Sequence, residues 1–317
     1  MSILVNNLTK YYGSAKAVDN ITFEVHSGEI LGFLGPNGAG KTTTMRIITC
    51  YLAATEGTVK VEGRDIHGES FDVRKLVGYL PEQNPLYYDM NVLEYLEYAA
   101  QLSGVEKSGM GKRLKEMVEV CALGEMKHKD IGQLSKGYRQ RVGLAAAMIH
   151  DPRVLILDEP TSGLDPNQIV EIRSLIRSLG KEKTVVLSTH ILSEVQATCN
   201  RVIIVNRGKI VADSTIDDLQ HNMRGGEKVF LEVEIPDGQS FEMISVQMKA
   251  IPAVSRVRLM DERNGLKKMS VETDTAADVR KDLYQLCVQR GWTLLELRRE
   301  QTSLEDVFRQ LTMDTVK

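Results

Sequence analysis

The 317-residue chain has few cysteines and no pattern among them. Cys50, Cys121, Cys199 and Cys287 lie far apart with no C-x-x-C pair, which excludes a cysteine metal site and a disulfide framework and leaves ordinary reduced thiols, as in a cytosolic protein. An excess of charge is missing as well. The 40 Lys and Arg against 43 Asp and Glu leave a net charge of −3, which gives no electrostatic reason to expect nucleic acid. No apolar run approaches the roughly 20 residues that a membrane-crossing helix needs. Met1-Ser2-Ile3-Leu4 leads directly into a strand pattern, so no signal peptide is expected, and any membrane-spanning work would fall to another chain. There is no tandem repeat and no low-complexity tail. What remains, 42% hydrophobic and 26% charged, is a globular composition in a chain long enough for two domains.

Against those absences stands one strong positive signal, Gly35-Pro36-Asn37-Gly38-Ala39-Gly40-Lys41-Thr42-Thr43, which fits G-x-x-x-x-G-K-[ST]. The buried-strand run Glu29–Leu34 precedes it and a helical start, Thr43–Ile48, follows, which is the context the motif needs. Glycines let the backbone curl so that successive N–H groups point at an anion, and the helix N-terminus adds its positive dipole end. Lys41 supplies charge for the β- and γ-phosphates and Thr42 a hydroxyl for Mg²⁺.

A second buried strand, Val154–Leu157, ends in Asp158-Glu159 with Pro160-Thr161-Ser162-Gly163-Leu164-Asp165 behind it. The C-terminal edge of an α/β sheet is where ligands sit. Asp158 is placed there to hold Mg²⁺ through its hydration shell, and Glu159 to act as general base on the attacking water. His190 closes another strand, Val185–Ser188. Gln83 lies in the loop Pro81–Pro85, and Tyr12 is an aromatic able to stack on a base. Ser135, in Leu134-Ser135-Lys136-Gly137-Tyr138-Arg139-Gln140-Arg141, is a good N-cap for the apolar helix Val142–Ile149. The amides after it form either a plain cap or a second anion site. Such a site, on the far side of a helical region, reaches a nucleotide held by a second copy, which implies a head-to-tail dimer.

The organisation follows. An α/β domain spans 1–219, with strand candidates at Val59–Val61, Leu76–Leu80, Val154–Leu157, Val185–Ser188 and Val202–Val205 and a helical subdomain over about 90–147. His221–Gly226 reads as a linker. In 220–317 a βαββαβα order is expected: strands at Val229–Ile235, Val254–Met260, Lys268–Val271 and Thr293–Leu297, a turn at Asn264-Gly265, helices at Ser245–Ala250 and Asp278–Gln289, and a last helix capped by Ser303 with Asp306 at its third position. That order makes a small α+β open-faced sandwich.

Tyr12, the loop ending at Lys41-Thr42, Gln83, Leu134–Tyr138, Asp158-Glu159, Ser162–Asp165 and His190, in that order and at those spacings, resemble the ATP-binding cassette (ABC) ATPases over about Ile3–Leu219. The resemblance implies a P-loop NTPase core with a helical subdomain, ATP and Mg²⁺ as ligands, and ATP hydrolysis. It implies that Tyr12 stacks on adenine, Gln83 senses Mg²⁺ and the membrane partner, His190 contacts the γ-phosphate and Asp165 communicates across the dimer. One departure stands out: Lys136 and Tyr138 replace the first Gly and the Gln of the family's Leu-Ser-Gly-Gly-Gln, while Ser135 and Gly137, which would face the partner's γ-phosphate, remain. This variant, with Thr302–Phe308 near the C-terminus, is similar to a subgroup of exporter ATPases whose membrane subunits are separate chains. The implied protein is cytoplasmic, peripheral at the inner face of the membrane, and partnered by a second ATPase subunit and by integral permease subunits. The alternative, a soluble ABC ATPase with a non-membrane partner, is disfavoured by the lack of sustained heptads, of a second phosphate loop and of a basic surface.

Overall fold

The computed structural model describes residues 1–222, 228–235, 239–263, 265–273, 278–300, 308, 309 and 312. The chain divides into two compact units, Met1–Ile216 together with Leu311–Lys317, and Asp217–Gln310.

In the first unit, β1 (Ile3–Tyr12) and β2 (Ala15–Val25) form an antiparallel hairpin. β3 (Ile30–Leu34) is buried along its whole length and delivers the chain to the glycine loop, which opens α1 (Lys41–Ile48). β4 (Glu56–Val61) returns antiparallel to β1 and pairs with the short β5 (Arg64–Asp65), completing a sheet of order β2-β1-β4-β5. The expected strand Val59–Val61 thus belongs to this antiparallel sheet and not to the parallel one. Then come α2 (Ser70–Leu76) and β6 (Val77–Leu80), followed by the helical stretch α3 (Val92–Leu102), α4 (Lys107–Val120) and α5 (Lys136–Met148). A capping box between Asn91 and Glu94 starts α3, and Ser135 caps α5 by accepting from the Tyr138 N–H. β7 (Val154–Asp158), α6 (Pro166–Leu179), β8 (Thr184–Thr189), α7 (Leu192–Thr198), β9 (Arg201–Asn206) and β10 (Lys209–Thr215) follow, and α8 (Ile216–Asn222) begins at the last residue of this stretch and belongs otherwise to the second unit.

The central sheet has the order β10-β9-β3-β8-β7-β6, parallel except for β10 at its edge. Alternate side chains of its strands go to opposite faces. Leu155, Leu157, Val185 and Leu187 join Leu96, Leu123, Val142 and Leu144 of the helical stretch in one core. Val154, Ile156, Val186 and Ile203 join Met45, Ile47, Val5 and Val59 in another. Cores on both faces explain why these strands read as unbroken apolar runs. They also leave only the strand ends for polar groups.

The second unit contains β11 (Lys228–Glu234), α9 (Phe241–Lys249), β12 (Val254–Arg263), β13 (Leu266–Thr273), α10 (Arg280–Arg290) and β14 (Thr293–Glu300). The sheet is antiparallel in the order β12-β13-β11-β14. Its core draws Val229, Leu231, Val233, Met269 and Val271 from alternate strand positions, and Ile244, Met248, Leu283 and Cys287 from the helices. α9 starts at Phe241, four residues before the expected Ser245, because Ser240 is the last extended residue and stands as its N-cap, and Ile244 and Met248, one turn apart, share its buried face. Asn264 of the expected turn, most of the expected linker, and Ser303 and Asp306 of the expected final helix lie outside the described residues.

Candidate nucleotide site

The glycine loop is a cradle by construction. Gly38 and Gly40 take φ of 79° and 102°, which side chains with a Cβ rarely adopt. A Cβ on Gly35 would lie 2.3 Å from the Val205 carbonyl oxygen, and one on Gly40 2.4 Å from that of Ala17, so only glycine fits at either position. The loop lines an open pocket of ≈ 470 Å³ with Ala17, Asn37 through Thr43, Glu82, Glu159, Ser162 and His190.

Lys41 is buried, and its Nζ donates to the carbonyl oxygens of Gly35 at 2.8 Å and Pro36 at 3.3 Å. The same ammonium lies 3.5 Å from Glu159 Oε1. The charge is therefore held over the loop by weak neutral acceptors and one carboxylate, an arrangement that a phosphate can take over.

Asp158, the last residue of β7, is fully buried. Its Oδ1 accepts from Ser188 Oγ and, at 3.3 Å, from Thr42 Oγ1. Its Oδ2 is buried with no hydrogen-bond partner among the described residues. An orphaned carboxylate oxygen in a buried site is costly unless a cation or water reaches it. With the Thr42 hydroxyl beside it, this pair has the hard oxygen donors that Mg²⁺ selects. The donor set fits that ion.

Glu159 follows with φ 49°, a backbone state uncommon for any residue but glycine and costing of order 1–3 kcal/mol. Two contacts hold it there: its N–H donates to the Ser188 carbonyl at 3.1 Å and lies 3.2 Å from Ser188 Oγ. The turn swings the carboxylate out of the strand direction and into the pocket. There His190 Nδ1 lies 2.9 Å from Oε2 and 3.1 Å from Oε1. A carboxylate only accepts, so Nδ1 carries the hydrogen and Nε2 is left for another partner. A fixed ammonium, a carboxylate and an imidazole thus face one space, the set needed to hold a phosphate and to accept a proton from water next to it.

Not every expected residue comes to this pocket. Glu82 lines it, whereas Gln83 is exposed beside it. Tyr12 is exposed near the end of β1, with Lys10 Nζ 5.7 Å from its ring centre, and is not among the lining residues. Ser135 and Gly137 start α5, and Asp165 caps α6 by accepting from the Asn167 and Gln168 N–H groups, both at 3.0 Å. None of these three lines the pocket. Ser188 and Glu82 escape sequence reasoning. Ser188 could have been found as a polar residue at the buried end of an apolar strand; Glu82, in an irregular loop, carries no such signal.

The family model described as ABC transporter matches residues 18–162. A shorter match, to an AAA domain described as a putative AbiEii toxin of a type IV toxin–antitoxin system, covers 130–195. The chain is 34% identical over 305 residues to the ABC transporter ATP-binding protein YxlF of Bacillus subtilis, covering 96% of this chain and 97% of that one. It is 34% identical over 317 residues to the bacitracin transport ATP-binding protein BcrA of Bacillus licheniformis, covering 98% and 96%. Among solved structures, the dimeric post-hydrolysis state of the ATP-binding cassette MJ0796 bound to ADP and Pi matches with a TM-score of 0.62 at 26% identity, over 68% of this chain and 98% of that one.

Proposed function

This chain belongs to the ABC transporter family and is an ATP-binding, ATP-hydrolysing cassette of it; from that premise we propose that it drives separate membrane subunits of an exporter by ATP-dependent closure of a head-to-tail dimer. The observation that carries this reading is the convergence of Lys41, Thr42, Glu159 and His190 on one pocket, with Asp158 bonded to Thr42 behind it, that Ser135, Gly137 and Asp165 of the same chain do not line. A pocket so one-sided is completed by a second copy presenting those three residues.

In this reading ATP supplies the phosphoryl group and Mg²⁺ the charge that neutralises it. The glycine-loop amides and Lys41 bind the phosphates. Thr42 and Asp158 would hold the ion, and Gln83, exposed beside the pocket, is the residue proposed to sense it. Glu159 takes the proton from water, and His190 orients that carboxylate through Nδ1. Tyr12 offers its exposed ring to the adenine. Closure is favoured by ATP because the contacts across the sandwich exist only in the closed state.

The membrane side of the proposal rests on the loop after Gln83. Asn84 Nδ2 donates to the Arg139 carbonyl of α5 at 3.0 Å, while Tyr87 and Tyr88 stand exposed. Tyr87 packs edge-on against Tyr98, 5.5 Å between centroids, and the Arg139 guanidinium lies 5.5 Å from the Tyr88 ring centre. A partner pressing on these rings would reach the helix that carries Ser135. Among the described residues no helix is long and apolar enough to cross a membrane, so permease subunits are proposed as separate chains. The relatives named for bacitracin transport support transport as the work of the assembly, and export is the direction proposed here. The second unit, Asp217–Gln310, is read as an accessory module.

The test uses the full chain with Glu159→Gln. The turnover number falls by at least about 100-fold, the share of a general base, while ATP binding persists and an ATP-dependent dimer accumulates in sedimentation. Tagged protein recovered from native membranes with ATP then brings a polytopic membrane protein with it. Equal monomer content with and without ATP would overturn dimer closure. Recovery of ribosomes or chromatin in place of a membrane protein would overturn the transporter assignment.

A further inference from the structure

The buried side of the catalytic edge holds a carboxylate that the chemistry above does not use. Glu194, on α7, is 1% exposed and does not line the pocket. Its Oε1 accepts from Thr161 Oγ1, and its Oε2 accepts from Thr189 Oγ1 at 2.7 Å. Thr161 lies two residues after Glu159, in the loop that continues to Asp165, and Thr189 immediately precedes His190. Thr189 is itself bound into the site, since its carbonyl accepts from the Gly35 N–H at 3.3 Å and its hydroxyl accepts from the Ile191 N–H at 3.0 Å.

We infer that Glu194 is a positioning residue for hydrolysis, clamping the loop after Glu159 to the segment that carries His190 so that the two pocket side chains keep one relative placement. The inference rests on the hydrolytic reading of the pocket. A carboxylate suits this task because it only accepts: both threonine hydroxyls must donate to it, and both rotors are fixed. The cation nearest it forms an ion pair with one oxygen but makes no hydrogen bond to it. Arg173 Nη2 lies 3.9 Å from Oε1, beyond hydrogen-bond distance, and Arg173 Nε has no hydrogen-bond partner among the described residues. Burying a carboxylate on two hydroxyls is costly, and an amide of the same shape would fill the same space with less desolvation. What the amide cannot do is accept at both ends.

Glu194→Gln in the full chain is therefore the discriminating variant. The expected result is a turnover number lowered about tenfold or more, with the affinity for a fluorescent ATP analogue changed less than about threefold; the scale is one to two lost hydrogen bonds acting on the transition state alone. Thr161→Val with Thr189→Val reproduces the defect, and Glu194→Gln adds nothing further on top of that pair. A second readout needs no turnover: the His190 imidazole resonance, followed by NMR without nucleotide, shifts or broadens in Glu194→Gln. Wild-type turnover in Glu194→Gln, or turnover and affinity falling in proportion, would overturn the inference. So would an unchanged His190 resonance. If Glu194→Gln does not fold, Thr161→Val and Thr189→Val made singly carry the same test, and additive effects on turnover count against the clamp. A wild-type chain that hydrolyses no ATP overturns instead the functional reading beneath it, and the His190 resonance still decides whether Glu194 holds the segment.

Discussion

The two units handle polar groups in opposite ways. In the first, β3, β7 and β8 are buried at every position, and each faces a core on both sides. Hydrogen-bonding side chains collect at the strand ends: Asp158, Ser188 and Thr189, with Glu159 and Glu194 just beyond. In the second, β11 alternates buried and open along its length, and charged residues pair on the open side, as in Lys268–Glu232 at 3.0 Å, with Lys267 and Thr273 among the buried polar exceptions on β13. A two-sided core forces polar groups into one place, where they desolvate one another and become reactive. A one-sided core scatters them into water, where ion pairs contribute little. The fold of each unit already divides the labour.

That contrast can be broken by attacking the cores separately. Leu231→Ala in the second unit empties a fully buried site and is expected to cost about 2–5 kcal/mol of that unit's stability, seen as a lowered early transition in calorimetry, with ATP affinity unchanged. A parallel loss of ATP affinity would show that the two units do not divide the work this way. Lys41→Ala acts on the site alone. Removing its charged hydrogen bonds is expected to weaken ATP binding by roughly 1.5–3 kcal/mol, on the order of 10- to 150-fold in Kd, with the second unit's melting untouched. Unchanged nucleotide affinity in titration calorimetry would remove the phosphate role of the loop.

The smallest effect concerns a polar group that does not line the nucleotide pocket. The His150 ring lies 3.2 Å from the Val77 carbonyl through Nε2, its Nδ1 has no partner among the described residues, and burial holds its pKa below the usual histidine value. The folded state thus binds this proton less readily than the unfolded state. Below about pH 6.5, the ordinary histidine pKa, the unfolded chain gains a proton that the native chain refuses, and stability falls until the native pKa is reached. Denaturation followed between pH 7 and 5 is expected to show a shallow loss of roughly 1 kcal/mol or less, absent in His150→Gln. The same slope in the variant would assign the loss to other groups.

Much of the site was legible because short-range covalent order fixes it. Strand, loop and helix follow one another without a break over Ile30–Ile48, and Asp158-Glu159 ends an apolar run whose length already sets it in the sheet. The signature Ser135 was legible as a helix cap and is one. What stayed hidden depends on residues brought together from distant segments. Nothing near Val59 says that its strand pairs with β1, since alternating and continuous apolar runs are hard to tell apart over three residues. Nothing near Gln83 says that its neighbour Glu82 faces the pocket, because an irregular loop has no period from which a facing side can be read.

By itself, then, the sequence determined the chemistry available: a glycine-rich phosphate loop with its lysine and threonine, two carboxylates at a strand end, and a histidine at another. These are matters of backbone conformation and residue type within one short stretch. Only the tertiary structure decided how they act on one another. Parallel pairing of β7 with β8 brings Ser188 to Asp158 and His190 to Glu159, and the packing of α7 beneath the same edge places Glu194 between Thr161 and Thr189. The reason is physical: a hydrogen bond requires about 3 Å between its partners, and across 30 residues of chain only a fixed sheet register supplies that distance.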